Sequence, residues 1–538
     1  MAEGDVHVFW ADEVADRIEA RDPTEPIVVK GGVSPSGIPH LGNVNELLRG
    51  YFVAAVLRER GWSVKQVFTS DDTDRLRKVP RQLADLEFRT VDIGELDGGL
   101  LGRNLGKPYT DVPDPFGCCD SYGAHFTRLL EATAERLGLD IEFHSATEMV
   151  ERGLYEPYVR RLLADLEGAR EVLGRYQAKV DEDYVPFVPR CGNCGRLTER
   201  VRAVDLDAGT VEYECVDHEI AGNRIPGCGH RGTATFREGK LPWRFEWPAQ
   251  WGIFGVDFEP FGKEHAEGSW PSGVEIAERL LDVEPPEPMV YEYFTLNGEA
   301  LSSSTGNVIT VPELLDLVER EVVMYFFTKD PRKARDLDVE RIDLLVDEFD
   351  AFEAAYFGER DEPADLVERA ARIYPFVVDE PRAERIRLPY TFAAVLAMTD
   401  DPALRREIAD REGHLPPDAP EWAVASALGR VERAGRWAAL TDNQYNYRLQ
   451  RERLPVDGFD APVEAALDDV ADAVEAGADG DAIQAAIFEA AEGHGLDAGT
   501  VFRAGYQLLF DEPAGPKLGP FLAELDRAFV VERLRLEG

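Results

Sequence analysis

The sequence predicts a doubly wound α/β protein, with a parallel sheet interrupted by an inserted zinc-knuckle module and followed by an all-α C-terminal region. Three observations predict it. Short β-branched runs alternate with amphipathic helical periods over the first 145 or so residues, the rhythm of βαβ units. Paired cysteines then break that rhythm at Cys191 and Cys194. From about residue 345 onward the helical period continues with little strand signal. The expected domains are 1–184 and 241–344 as two halves of the sheet domain, 185–240 as the module between them, and two helical domains, 345–455 and 456–538, separated by the Asp/Pro/Gly breaks near 455–461.

A chain of 538 residues has room for three or four domains, and 44% apolar residues suffice for their cores. No apolar run approaches a membrane span, and the first thirty residues carry several acids and no signal-peptide core, so a soluble cytoplasmic protein is expected. The net charge is −44, and only ten of the 59 basic residues are lysine. Acids are spread along the whole chain, which favours a solvating surface for a salt-rich cytoplasm, that of a halophile, over a device for repelling nucleic acid. A nucleic-acid site would then be a local arginine-rich patch. Oligomeric state is not legible; a monomer is favoured.

In chain order, Phe9, Trp10, Val14 and Ile18 mark a helix over 9–21, and Ile27–Val29 a buried strand. A loop with Gly31, Gly32, Pro35, Gly37 and Pro39 leads to a helix whose apolar face includes Val44, Leu47, Leu48 and Phe52. Strand, glycine-rich turn and helix N-terminus form a phosphate cradle, because unpaired N–H groups face the ligand. Neither GxGxxG nor the P-loop pattern is present. What stands there is Pro35-x-Gly37-x-x-His40-Leu41-Gly42-Asn43. A second strand, Val64–Phe68, ends in the polar run 69–78, where Asp72 and Arg75 read as structural or ligand-orienting groups; the individual roles of Asp71, Asp72, Asp74 and Arg75 do not separate. A loop over 102–123 holds Cys118 and Cys119, read as buried thiols; a helix over 124–138, a strand at 141–144 and helices over 145–180 follow.

Cys191, Cys194, Cys215 and Cys228 have the logic of a zinc ribbon, with an irregular second pair, so that His218 or His230 could replace a cysteine. A redox CxxC is the rival, but it lacks a βαβ setting. Sheet-like texture is read again over 241–251, with Trp243, Trp247 and Trp251 as core or pocket wall, and then in the polar turn Gly262-Lys263-Glu264-His265. A last sheet strand is expected over 288–296, running into Asn297-Gly298 and on to Leu301-Ser302-Ser303-Ser304-Thr305-Gly306-Asn307, which taken alone would be a serine linker.

The His40 motif and the Leu301–Asn307 loop, about 260 residues apart, resemble the HIGH and KMSKS signatures of class I aminoacyl-tRNA synthetases. With the inserted knuckle, Gly-Lys-Glu-His and the helical C-terminus, most of the chain is similar to the archaeal-type class I lysyl-tRNA synthetases. That resemblance implies a Rossmann-like catalytic domain, ATP with Mg²⁺, structural Zn²⁺ on Cys191, Cys194, Cys215 and Cys228, and L-lysine and tRNA(Lys) as substrates. It implies His40, Asn43, Ser303 and Ser304 as catalytic residues. ATP would meet Pro35, Gly37, His40, Gly42, Asn43, Lys263 and the loop residues Leu301, Ser302, Ser303, Ser304 and Thr305. Lysine would meet Gly32, Ser34, Trp243, His265 and Tyr291. The departure is that Ala300 and Thr305 stand where the family's loop carries lysines, leaving Mg²⁺, backbone donors, Lys263, Lys329 or Arg332 to meet triphosphate charge. The C-terminal helices would bind the anticodon, with Arg430, Arg433 and Arg436 as a phosphate-facing stripe, unless they form a plain packing domain. Arginine-rich helices are expected over 421–439 and 445–453. The competing readings are a class I synthetase of another specificity, glutamyl-type for instance, and a non-catalytic tRNA- or adenylate-binding relative.

Overall fold

The computed structural model describes residues 7–177, 180–220, 222–301, 307–451 and 454–537. They divide into two compact units: residues up to 314 with 323–338 and 363–378, and residues 315–322, 339–362 and 379 onward.

The first unit is built on a five-stranded parallel sheet of β1 (Ile27–Val33), β2 (Val64–Ser70), β3 (Glu142–Ser145), β4 (Phe258–Gly262) and β5 (Glu287–Tyr291), in the order β5-β4-β1-β2-β3. Every pair is parallel, and β1 and β2 match from Ile27–Val64 to Val33–Ser70. All five residues of β4 and the first five of β1 are buried, as expected of strands covered on both faces. The chain moves outward from β1 to β2 and β3, and later from β4 to β5 on the other side. The order therefore reverses between β1 and β4, and an open α/β sheet binds ligands in the crevice at such a point.

Helix α1 (Trp10–Glu19) and α2 (Leu41–Glu59) pack with this sheet. Gly50 permits close approach: a Cβ there would lie 2.9 Å from Gln66 Nε2 and 3.1 Å from Val29 Cγ1. Arg49, on the same helix, is fully buried beneath Trp10, 5.1 Å from its ring, and donates to the carbonyls of Phe327 and Lys329. Helix α3 (Tyr122–Arg136) follows the long loop and starts on a Ser121 cap.

Two expectations about elements are corrected. Residues 241–251 are not sheet-like: α4 spans Trp243–Phe254 and accommodates Pro248. The tryptophans at 243, 247 and 251 are four apart, the spacing that lines one face of a helix. In the second unit, Arg433 and Arg436 of helix α5 (Glu421–Thr441) and the buried Arg430 do not form a phosphate-facing stripe. Arg430 is held by Asp350 at 2.6 and 2.9 Å and Glu319 at 2.9 Å, Arg433 donates to the carbonyls of Leu315 and Gly429, and Arg436 pairs with Asp316 at 2.7 Å. The described part of 445–453 is not helical. The C-terminal part of this unit is helical, with helices from Ala461–Glu475 to Arg527–Leu534. Among the described residues no helix is long and apolar enough to cross a membrane.

Candidate active site

A cleft of about 1800 Å³ opens at the carboxyl ends of β1 and β5 and beside the turn after β4. Its wall brings together nine of the residues assigned from sequence to catalysis, ATP or lysine: Gly32, Ser34, His40, Gly42, Asn43, Trp243, His265, Tyr291 and Leu301. Pro35 and Gly37 lie in the same loop as His40 but off the wall, Pro35 buried and Gly37 with open space at its Cβ position. Ser302, Ser303, Ser304 and Thr305 lie outside the described residues.

His40 is the N-cap of α2. Its Nδ1 accepts from Gly42 N–H at 3.0 Å, while its own N–H donates to Asn43 Oδ1 at 3.0 Å. This reciprocal cap fixes both side chains. With Nδ1 an acceptor, the imidazole proton resides on Nε2, and with Oδ1 an acceptor, the Asn43 amide keeps its two N–H donors. Burial lowers the His40 pKa to about 4, so near neutrality the ring is an uncharged donor. Gly42 is demanded by space: a Cβ there would stand 2.8 Å from His40 Cε1.

Also on the cleft wall is a residue the sequence reading missed, Glu46. Its Oε2 accepts from Gly32 N–H at 3.1 Å and its Oε1 from Tyr291 O–H at 3.0 Å. Burial, together with the nearby Glu259 carboxylate, raises its pKa to about 8. The available signal was spacing, since Glu46 lies three residues beyond Asn43 and so shares its helix face. Trp243 stacks on Trp247 at 5.1 Å, with His265 6.1 Å from Trp243, making an aromatic wall. On the same wall, Lys240 bridges Asp74 and the buried Glu246, Ser34 donates to Asp74, and Asp71 accepts from Gln250 at 3.0 Å. Asp72 is structural here, accepting from Ser145 Oγ (2.6 Å) and Thr147 N–H (2.8 Å), and Arg75 pairs with Glu199 at 3.0 Å.

Two of the cations expected to replace the loop lysines, Lys263 and Arg332, are paired with carboxylates. Lys263 is paired with Glu292 at 2.5 Å over the Tyr293 ring, and Arg332 is paired with Asp330 and Glu13. Neither they nor Lys329 line the cleft, whereas Arg77 and Arg244 do. Arg244 donates to Gly268 O (2.5 Å) and Ser272 Oγ (2.7 Å) and has no carboxylate partner among the described residues.

Two groups of ligand-type side chains converge in this unit. The Sγ atoms of Cys191, Cys194, Cys215 and Cys228 lie within 4.8 Å of one another. The irregular spacing has a simple cause: the hairpin of His218–Ile220 and Asn223–Ile225 loops out between Cys215 and Cys228, and Gly229 N–H returns to Cys215 O at 2.9 Å. Four converging thiols fit a tetrahedral zinc ion, and neither His218 nor His230 is in the cluster. The second group, Asp114, Cys118, Cys119 and His125, corrects the reading of Cys118 and Cys119 as buried thiols: Cys118 is exposed and Cys119 half-buried. His125 Nε2 contacts Ala84 O at 2.9 Å, which directs Nδ1 towards Cys118 Sγ and Asp114, each 3.3 Å away.

The comparisons agree with this architecture. Residues 8–377 match the family of class I (K) tRNA synthetases. The chain is 64% identical to the lysine–tRNA ligase of Haloarcula marismortui, over 99% of this chain and 98% of that protein. It is 60% identical to the lysine–tRNA ligase of Halobacterium salinarum, over 100% and 98%. With that of Pyrococcus horikoshii it shares 33% identity over 99% of this chain and 100% of the relative. A match over more than half the chain, and relatives this similar along its whole length, carry one conclusion: the chain belongs to the class I (K) tRNA synthetases.

Proposed function

We propose that this chain is a lysine–tRNA ligase, joining L-lysine to tRNA(Lys) through lysyl-adenylate with release of diphosphate and AMP. The observation that carries the specificity is Glu46, clasped by Gly32 N–H and Tyr291 O–H at the end of an aromatic-walled cleft. A four-carbon stem packs along Trp243 and His265, and its ammonium meets an acid there. A glutamyl-type enzyme needs an unpaired cation where Glu46 stands, and the cation that acts on Glu46, the buried Lys30, is committed to Glu259.

ATP enters as its magnesium complex. The lysine carboxylate attacks the α-phosphorus, and the bond to the bridging oxygen of pyrophosphate breaks. His40 Nε2–H and the Asn43 amide donate to the phosphate oxygens as charge builds on them, already oriented by the α2 cap. Ser34 contacts the α-amino end of lysine, Gly32 borders the pocket beside Glu46, and the Leu301–Thr305 loop is assigned to the leaving pyrophosphate. Cleft arginines, Arg244 first among them, supply positive charge that the loop lacks. The terminal ribose hydroxyl of tRNA then attacks the lysyl carbonyl and AMP leaves.

Zinc on Cys191, Cys194, Cys215 and Cys228 fixes the 185–240 module, and a second metal suits Asp114, Cys118, Cys119 and His125. Both ions would crosslink loops rather than take part in the chemistry. The second unit would contact the anticodon, and dispersed acidity suits a monomer in a salt-rich cytoplasm.

The test is amino-acid-dependent ATP–pyrophosphate exchange in multimolar KCl, across all twenty amino acids, with and without tRNA. Exchange with lysine alone is expected. Exchange with another amino acid overturns the substrate, and none at all from folded, metal-loaded protein that binds tRNA establishes the non-catalytic reading.

A further inference from the structure

The loop that ends in His40 has no regular structure of its own between Ser34 and His40. Besides the buried Pro35 and Pro39, three attachments hold it among the described residues. Ser34 Oγ is bonded to Asp74, and Ile38, 4% exposed, is packed in an apolar cluster with Leu76, Tyr109, Val112 and Tyr122. The third is a single hydrogen bond from Tyr122 O–H to Ser36 O, 2.9 Å long.

Tyr122 is placed for this with some care. It is fully buried, stacks on Tyr109 at 5.5 Å and 18°, and leans on Phe126 at 4.6 Å. Its backbone N–H is bonded to Val112 O at 2.8 Å. Burial raises its phenol pKa well above the usual tyrosine value, so the oxygen keeps the proton it donates. The stack needs only an aromatic ring and would be met by phenylalanine. The hydroxyl contributes the bond to Ser36, whose carbonyl has no other acceptor role among the hydrogen bonds of the described residues.

Tyr122 is also the first residue of α3, three positions before His125, and it closes the loop that begins at Val112. That loop contains Asp114, Cys118 and Cys119, and the first turn of α3 carries His125, the fourth member of the cluster. The chain just before the loop is tied to the segment after β2, with Tyr109 N–H on Asp74 O (2.8 Å) and Thr110 N–H on Asp72 O (3.1 Å). Three of the cluster's ligand atoms come from the loop and the fourth from the first turn of α3, so an ion there ties the loop to the start of α3, and therefore to Tyr122.

We propose that the 112–125 loop is a brace for the His40 loop, with the Tyr122 hydroxyl as the connecting atom, and that metal occupancy of the Asp114–His125 cluster tightens the brace. Tyr122 is a positioning residue: it touches no substrate and acts through Ser36 on the placement of His40 and Asn43. The inference rests on the proposed ligase reading only for its kinetic consequence, because the brace itself is a property of the free protein.

The experiment is hydrogen–deuterium exchange on the full-length, metal-loaded protein, comparing wild type with Tyr122→Phe. Amides of the 34–43 segment should exchange at least about fivefold faster in the variant, with the sheet strands unchanged. Equal exchange over 34–43 overturns the proposal, whatever the protein's activity. Removing metal with a chelator, or by His125→Ala, should loosen the same segment in wild type while adding little to Tyr122→Phe; independent, additive loosening overturns the link to the cluster. Should His125→Ala fail to fold, Cys118→Ser takes its place. Where exchange with lysine is established, Tyr122→Phe should lower kcat about tenfold per titrated active site and leave KM for lysine within about twofold. A loss confined to the number of active sites would mean a merely structural role and contradict the assignment.

Discussion

At the scale of single residues, Glu46 makes the sharpest claims. Its carboxyl titrates near 8 in the folded protein against an ordinary value of 4.5, chiefly through burial. The folded chain therefore holds a proton that the unfolded chain releases between those values, and this group's contribution to stability falls as pH rises from 4.5 towards 8. Lysine binding runs the other way. The ammonium pairs with the ionised carboxyl, so KM for lysine should fall about tenfold per pH unit between roughly 6 and 8 and then level off. Calorimetry in buffers of different ionisation enthalpy should register close to one proton released on binding. Glu46→Gln should abolish both effects and raise KM for lysine at least about a hundredfold; a pH-independent KM in the wild type would contradict the pairing. Gly42→Ala tests the opposite end of the cleft. A Cβ 2.8 Å from His40 Cε1 must displace the ring from its cap, so exchange should drop by roughly two orders of magnitude. The circular dichroism spectrum and lysine affinity should stay near those of wild type.

At the scale of elements, what the sequence made legible and what it hid have physical causes. The parallel strands could be read because buried strands carry β-branched and aromatic apolar residues, continuous in Ile27–Val29 and interrupted by Lys65 and Gln66 in Val64–Phe68. The nucleotide-facing loop could be read because glycines, prolines and a helix start crowd into it. Helix α4 was hidden: an interior proline and a dense aromatic run argue locally for a strand, and only the four-residue spacing of its tryptophans argues otherwise. Arg430, Arg433 and Arg436 were misplaced because three-residue spacing reports that side chains share a face, without saying whether that face meets solvent or protein. Glu46 went unnoticed because its partners, Gly32 and Tyr291, are 14 and 245 residues away in sequence. The corrected position of Arg430 makes a stability prediction. Arg430→Ala leaves Asp350 and Glu319 buried and unpaired, and should cost about 3–5 kcal/mol in the second unit by denaturant unfolding. Affinity of the remaining folded protein for tRNA should not change; a selective loss of tRNA binding at full stability would restore the phosphate-facing stripe.

At the scale of the whole molecule, charge dominates. A net charge of −44 on 538 residues repels itself strongly at low ionic strength, and salt screens that repulsion within a Debye length of about 3 Å at 1 M. Thermal stability should climb steeply with KCl into the molar range, and the protein should lose its fold on dialysis to low salt; a melting temperature that is flat or falls with KCl would contradict this account of the acidity. Exposed ion pairs contribute little under those conditions, whereas buried ones such as Lys30–Glu259, 1% and 4% exposed, are hardly screened. The same separation keeps the cleft's internal electrostatics effective in brine, where surface attraction to tRNA is weak.

The most direct measurement of the central claim is steady-state charging of tRNA(Lys) in multimolar KCl with lysine and with glutamate as competing labelled amino acids. The account predicts lysyl-tRNA(Lys) as the product, with glutamate incorporation at background and lysine incorporation reduced in Glu46→Gln. Charging with glutamate, or lysine charging indifferent to Glu46, would contradict it.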